Sequence, residues 1–329
     1  MSEHPFVSVI IPTYNRAALL LEAVRSVCAQ TYRPLEAVVV DDGSDDGTKE
    51  SIEAYVHGVK QDDGVQVRYL RQTRQGGQVA RNHGLRVANG TYVRFLDSDD
   101  WLFPQATTAQ VDLLVATGAE VCYGRWRETL DGSTVAKARE GSFAADLDPD
   151  PVAALLGDQW CPPFCYLMLR ETALRVGGWN GHYKALQDRD FINRIAFTGA
   201  RFVTTSEMIG CHRHHTGPRV SRDDGDRWLR FMKETIDDGI EWLDRNSQWT
   251  KARRQAAALS LFRHARRYYG VDRTQFNACV NAIGRISPEF RAPGVFYPVV
   301  ASLLGYWRAE TFRRACRRLL GRVRSYAQT

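Results

Sequence analysis

A chain of 329 residues, 44% hydrophobic and 25% charged, has ordinary globular composition and the length for a full α/β domain plus a further module. Its seven cysteines are odd in number and scattered, which argues against a disulfide framework and for a reducing compartment, and no apolar run approaches the roughly 20 residues that span a bilayer. The formal net charge of +6 sits at the end of the chain, where Arg308, Arg313, Arg314, Arg317, Arg318, Arg322 and Arg324 face only Glu310; the remainder is close to neutral, which excludes a globally basic nucleic-acid binder.

Met1-Ser2-Glu3-His4-Pro5 has no basic start and leads into a short apolar run, so no signal peptide is read there. Val7 to Ile11 is a buried strand closed by Pro12 and the polar turn Thr13-Tyr14-Asn15-Arg16. Ala18, Leu19, Leu20, Ala23, Val24 and Val27 then recur at helical spacing, a helix over Leu19 to Gln30. A second strand, Leu35 to Val40, ends in Asp41-Asp42-Gly43-Ser44-Asp45-Asp46-Gly47, and a helix follows from Thr48 to His57. Val65 to Leu70 is a third strand. Gln75-Gly76-Gly77 opens a helix to Ala88 that carries Arg81. The fourth strand, Tyr92 to Leu96, is interrupted by Arg94 and runs into Asp97-Ser98-Asp99-Asp100-Trp101. A helix over Gln105 to Thr117 and a strand over Glu120 to Tyr123 complete an alternating βα pattern, which implies a mostly parallel sheet sandwiched by helices.

From Arg125 to Ser221 the text is less regular, with Pro149, Pro151, Pro162 and Pro163, an apolar strand over Phe164 to Leu169 and a helix from Asp188 to Phe197. Beyond about Asp226 it reads as helical. The expected division is 1–221, made of 1–124 and 125–221, followed by a helical region over 222–329.

The acidic turn after the fourth strand carries the most chemistry. Grouped carboxylates repel one another unless a cation sits among them. Asp97 and Asp99 form an Asp-x-Asp pair of hard oxygen ligands suited to Mg²⁺ or Mn²⁺. The competing structural reading is an acidic turn in which Asp99 or Asp100 caps a helix. Two further strand ends bear polar or acidic groups, the Gly-rich turn opening the helix of Arg81 adds a cation, and ligands of open α/β sheets bind outside the carboxyl ends of the strands. Three nucleotide-binding classes lack their motifs. No Gly-x-Gly-x-x-Gly follows the first strand, and Gly43-Ser44-Asp45-Asp46-Gly47-Thr48-Lys49 has the wrong order and charge for a phosphate loop. The first loop offers only Arg16 where a nucleotidylyltransferase would need a Gly- and Arg-rich triphosphate grip.

Pro12-Thr13-Tyr14-Asn15-Arg16, Val40-Asp41-Asp42-Gly43-Ser44, Ala80-Arg81-Asn82-x-Gly84, Leu96-Asp97-Ser98-Asp99-Asp100 and, later, Gly177-Gly178-Trp179 with Gln187-Asp188-Arg189-Asp190-Phe191 occur in this order. Together they resemble the family 2 inverting glycosyltransferases of the GT-A fold, over Met1 to about Ser221. The resemblance implies a nucleotide-sugar pocket built from Pro12, Thr13, Tyr14, Asn15, Asp41, Asp42, Arg81, Asp97 and Ser98. Tyr14 would stack on the base, most often uridine, and Asp42 would accept from its ring N–H. It implies Mn²⁺ or Mg²⁺ on Asp97 and Asp99, with His215 near the metal or the diphosphate. The second member of a Glu-Asp or Gln-Asp pair, here Asp188, would be the catalytic base, leaving Asp190 to cap the helix.

The implied activity is transfer of a sugar from a nucleotide-diphosphate donor, UDP-sugar first, to an acceptor hydroxyl of a glycan or lipid carrier in surface polysaccharide, lipopolysaccharide or capsule synthesis. A catalytically silent nucleotide-sugar binding or scaffold subunit is the alternative. Trp126, Trp160 and Trp179 are candidates for a sugar-stacking platform as well as for plain core. Adjacent residues in Cys211-His212-Arg213-His214-His215 cannot easily all face one zinc ion. Phe312, Cys316, Leu319, Leu320 and Val323 fall on one face of a basic helix, which suits an anionic membrane surface or packing on the catalytic domain. The expected location is cytoplasmic, peripheral at the inner face of the plasma membrane.

Overall fold

The computed structural model describes residues 4–58, 64–129, 139–140, 150–214, 225–294 and 297–326. His215, Ser221 and Val295 lie outside them, as do the side chains of Leu319, Leu320, Val323 and the arginines from Arg317 onward.

The chain forms two compact units. One comprises residues 1–151 and 159–223; the other comprises 152–158 and 224–329. The first is built on β1 (Val7–Thr13), α1 (Ala17–Cys28), β2 (Leu35–Asp41), α2 (Thr48–Gly58), β3 (Val65–Arg71), α3 (Gly77–Val87) and β4 (Tyr92–Phe95). These are followed by β5 (Trp101–Leu102), α4 (Ala106–Thr117), β6 (Val121–Thr129) and the two-residue β7 (Arg139–Glu140). Next come α5 (Pro151–Leu156), most of which belongs to the second unit, β8 (Tyr166–Leu169), α6 (Arg170–Arg175), α7 (Gln187–Ala196) and β9 (Phe202–Arg213).

The strand order is β3-β2-β1-β4-β8-β6-β9-β5, with β7 on β6. β3, β2, β1 and β4 run parallel, as the alternating βα text implies. The sheet is nevertheless mixed. β8 inserts antiparallel between β4 and β6, while β9 runs parallel to β6 and antiparallel to β5. Every residue of β1 and β2 is buried, which is why both read as near-continuous apolar runs rather than alternating ones; Ser8 and Glu36, which interrupt them, are hydrogen-bonded to each other. Pro12 is tolerated on the central strand because the β1–β4 ladder has already ended at the Ile10–Phe95 pair. Arg94 on β4 is wholly buried and donates to Gln110; burial pulls its pKa down to about 10.

Leu20, Ala23, Val24 and Val27 form the buried face of α1 at the spacing read from the sequence. On α3, a side chain at Gly84 would collide with Ile10, so the helix that carries Arg81 lies unusually close on the sheet. β9 has no clear signal in the sequence. Its centre, Thr204-Thr205-Ser206-Glu207, is polar and largely exposed, and its pairing with β6 shifts register twice.

The second unit packs α8 (Gly225–Arg245), α9 (Lys251–Tyr268), α10 (Arg273–Ile286) and α11 (Tyr297–Tyr326), which breaks at Gly305. Thr250 and Asp272 cap α9 and α10 by accepting from the backbone N–H groups of Arg253 and Gln275. The fully buried Glu310 accepts from Arg266, Arg313 and Arg314, tying α11 to α9. Two of the tail arginines are thus occupied by packing within this unit, while Phe312 is exposed. Among the described residues no helix is long and apolar enough to cross a membrane.

Candidate active site

The carboxyl ends of β1, β2 and β4 and the start of α3 meet at one edge of the sheet. The turn after β1 is stitched to the turn after β2. Asn15 N–H donates to Ser44 Oγ (2.9 Å), and Asn15 Oδ1 accepts from Asp45 N–H (2.9 Å). Asn15 adopts a left-handed conformation (φ 50°), which asparagine tolerates better than most residues. Asp41 is a buried strut: it accepts from Ser44 N–H (2.8 Å) and from the Tyr69 hydroxyl. Asp42 is also buried. Its Oδ1 accepts from Gln72 Nε2 and Gln75 N–H (2.8 Å each), and its Oδ2 accepts from Gly76 N–H (2.7 Å). Asp42 therefore shapes the turn before α3 rather than capping α2. The Arg74 guanidinium lies 4.1 Å from the centre of the Tyr14 ring. Thr13 Oγ1 is buried with no hydrogen-bond partner among the described residues.

At the end of β4 the ligand atoms of Asp97, Asp99 and Asp100 lie within 4.8 Å of one another. No helix follows; the turn runs into β5, so neither Asp99 nor Asp100 is a helix cap. Each carboxylate faces a cation. Arg16 meets Asp99 at 2.7 Å, Arg81 meets Asp97, and His212 Nδ1 lies 3.2 Å from Asp100. Asp100 also accepts from Arg213 N–H (2.8 Å) and is buried, so it belongs to the β5–β9 junction. Burial pushes the Asp100 carboxyl up to about 6, against the pull of His212. Burial opposes charge on His212 too, but Asp100, with Asp99 and Asp97 behind it, lifts the imidazole to about 9.

The donor set fits a hard divalent cation: clustered carboxylate oxygens with Asp97 and Asp99 still partly open to solvent. Ser98 is buried within the turn.

Arg81 joins this cluster to a second one. Its guanidinium reaches Asp97 and Gln187 Oε1 (3.2 Å) and lies over the Trp179 ring at 4.5 Å. Gln187 begins α7 and Asp188 follows. Leu186, just before them, holds φ 57°, a costly conformation for leucine of the kind that collects at functional sites. Asp188 accepts from the Trp160 indole N–H. Burial raises its pKa, opposed by that bond and by the Arg189 backbone N–H, while Asp97 adds to the rise.

One expectation about packing changes here, and two readings left open for tryptophans are decided. Asp190 does not cap α7, which has no side-chain cap. It holds Arg194 through Nε (3.1 Å) and Nη2 (2.7 Å), and Arg194 donates to the Val176 and Gly178 carbonyls. Trp179 is buried against Phe191, with ring centres 4.6 Å apart, and supports Arg81 instead of offering an open face to a sugar. Trp126 is also core. Asp190→Asn should therefore act on stability. Loss of a charged, largely buried hydrogen-bonded pair costs about 2 kcal/mol, a fall of roughly 4–8 °C in the melting of a unit the size of the one that contains Asp190. An unchanged melting temperature would show that the clamp contributes nothing.

The structure brings together Arg16, Arg81, Asp97, Asp99, Gln187 and Asp188 and adds Asp100, His212 and Trp160, which the sequence offered only as a possible cap, a member of a histidine run and a sugar-platform or core tryptophan. His212 was legible only as one of a histidine run. Its partner Asp100 is 112 residues away and pairs with it through the β5–β9 ladder.

A parallel α/β sheet extended by antiparallel strands, with an Asp-x-Asp turn at its carboxyl edge, defines the GT-A class. The model of glycosyl transferase family 2 matches residues 8–186, and the chain belongs to that family. The glycosyltransferase AglE of Haloferax volcanii is 29% identical over 216 residues, 63% of this chain and 67% of AglE. Against seven other curated glycosyltransferase relatives, the matched stretch spans 17–47% of their length. S. aureus TarS 1–349 in complex with UDP-GlcNAc superposes with a TM-score of 0.66 at 19% identity, over 94% of this chain and 92% of that one. The mannosyltransferase PcManGT of Pyrobaculum calidifontis, in complex with GDP-Man and Mn²⁺, does so with a TM-score of 0.53 at 19% identity, over 95% and 87%.

Proposed function

We propose that the protein is an inverting glycosyltransferase that moves a sugar from a nucleotide-diphosphate donor, with a UDP-sugar the first choice, to an acceptor hydroxyl. The observation that carries this is the bridge made by Arg81 between the Asp97/Asp99 turn and the Gln187-Asp188 helix start. A candidate leaving-group site and a candidate base are then linked through one guanidinium.

Tyr14 stacks on the base, with Arg74 shifting from its ring to admit it. A carboxylate has about four acceptor positions, so Asp42 keeps one on Oδ2 for a ring N–H while holding the turn before α3. Thr13 Oγ1 is placed to bond the same nucleoside. Pro12, Asn15, Asp41 and Ser98 shape the pocket from behind. Arg16 and Arg81 present donors to the diphosphate. Asp97 and Asp99 would hold Mn²⁺ or Mg²⁺, which when bound supplies Lewis-acid offset of charge on the leaving diphosphate. Asp188 accepts the acceptor proton as the oxygen attacks the anomeric carbon from the face opposite the diphosphate. That geometry inverts the anomeric centre. UDP-GlcNAc in TarS and Mn²⁺ in PcManGT support the donor class and the metal.

A thermal-shift panel of UDP-, GDP- and dTDP-sugars with and without Mn²⁺, followed by assay of sugar transfer and donor hydrolysis, tests this reading. Ligand at about 100 times its Kd stabilises by roughly 2.7 kcal/mol. A metal-dependent shift with UDP-sugars and turnover of the same donor are expected. No shift and no turnover with any nucleotide sugar would overturn it.

The setting we propose is surface-glycan synthesis at the cytoplasmic face of the membrane, with a glycan or lipid-linked acceptor. Arg313 and Arg314 are engaged by Glu310, so the contribution to an anionic surface falls to the exposed Arg308 and, for the most part, to the arginines beyond Cys316. The full chain should bind phosphatidylserine vesicles at low salt and lose them as salt rises. A chain ending at Cys316 should bind them poorly while keeping donor affinity. Full-length protein that ignores such vesicles at low salt would remove the membrane from this proposal.

A further inference from the structure

Trp160 has no part in the chemistry above, yet its placement is specific. Its ring is edge-on to two others, Trp126 (centres 6.3 Å apart, 82°) and His212 (6.2 Å, 79°). Trp126 is buried, and His212 is held by Asp100. Two edge contacts set the plane of the indole, and its polar tip points at Asp188 Oδ2. An indole N–H only donates and cannot accept. It therefore favours the ionised carboxylate and cannot compete for the proton that a base must take up.

We propose that Trp160 is a positioning residue for the acceptor-activating base: its indole N–H holds one oxygen of Asp188 and so sets the direction in which the carboxylate meets the acceptor hydroxyl. This rests on the reading of Asp188 as the base. The charged groups around Asp188 are Asp97 at the end of β4, which disfavours its ionisation, Arg81 on α3, held through Gln187, and His212 on β9 behind the indole. Loss of the indole N–H leaves all three in place and removes one of the bonds that pull the Asp188 pKa down, while the backbone N–H of Arg189 remains.

Trp160→Phe in the full chain is the test, read in two ways. In steady-state transfer assays, kcat at neutral pH should fall by roughly tenfold or more, as loss of a hydrogen bond to a charged group implies. The acidic limb of the kcat profile should move up by about one pH unit, and donor KM should not change. Independently of turnover, the ¹³C carboxyl titration of Asp188, assigned by its disappearance in Asp188→Asn, should move in the same direction. Benzothienylalanine at position 160, an indole isostere with sulfur in place of N–H, gives the same readouts without altering packing and serves if the phenylalanine variant folds poorly. An Asp188 titration unmoved in both variants overturns the proposal, as does a loss of rate confined to donor KM. If the wild-type chain transfers no sugar, the proposed function falls, while the carboxyl titration still decides whether Trp160 holds Asp188.

Discussion

Asp188→Asn should slow sugar transfer by about 10²- to 10⁴-fold, the usual worth of general-base assistance to a poor nucleophile. Asparagine keeps the size of the side chain and can still accept from the Trp160 indole, but it cannot take a proton. Donor affinity should change little, because Arg81 binds Gln187 rather than Asp188. The pH profile adds a second readout. Burial raises the Asp188 pKa, and the base works only when deprotonated. Wild-type activity should therefore begin to fall, as pH is lowered, above the range of an ordinary aspartate. The limb due to this group should vanish in the variant. Asp190→Asn is the control in the same helical turn: it loosens the Arg194 clamp and lowers the melting temperature without selectively slowing transfer. Transfer by Asp188→Asn at near wild-type rate, or a dead but fully stable Asp190→Asn enzyme, would put the base on the other carboxylate.

Asp99→Ala should lower turnover by about 10³-fold or more, because a cation at a leaving diphosphate contributes several kcal/mol to the barrier. EDTA should abolish wild-type activity and Mn²⁺ or Mg²⁺ restore it, since carboxylate and diphosphate oxygens suit hard cations. The variant should fold normally, because Asp99 meets the part-exposed Arg16, and such a pair adds little stability. Asp100→Ala should behave differently. It strips a buried partner from His212 and from the Arg213 backbone N–H at the β5–β9 junction and should cost stability first. Full activity after dialysis against EDTA would sink the assignment of Asp97 and Asp99 to a metal.

What lay open in the sequence was whatever is encoded locally. The parallel strands β1, β2 and β4 are short, mostly apolar runs buried on both faces, and α1 carries a 3.6-residue stripe, so both could be read within a window of a dozen residues. The chemistry at their ends was legible for the same reason. Asp97 and Asp99 are two residues apart, and Gln187 and Asp188 are adjacent. The basic end of the chain was plain from composition, but the capture of Arg313 and Arg314 by Glu310 was not.

The tertiary structure decided everything that depends on distant pairing. β8 enters antiparallel between β4 and β6, and β9 forms as a strand despite a polar centre, because β6 pairs its residues on either side of that centre and β5 pairs Gly210 and Cys211. That pairing brings His212 to Asp100 and frames Trp160 between Trp126 and His212. Asp41, Asp42 and Asp190 resembled ligands or caps in the text. Folded, they are largely taken up by Tyr69, by the turn before α3 and by Arg194. A carboxylate in a sequence announces only its charge. Whether it serves as strut, clamp, metal ligand or base is set by which donors the fold places against it, and buried carboxylates must find such donors before any is left for a substrate.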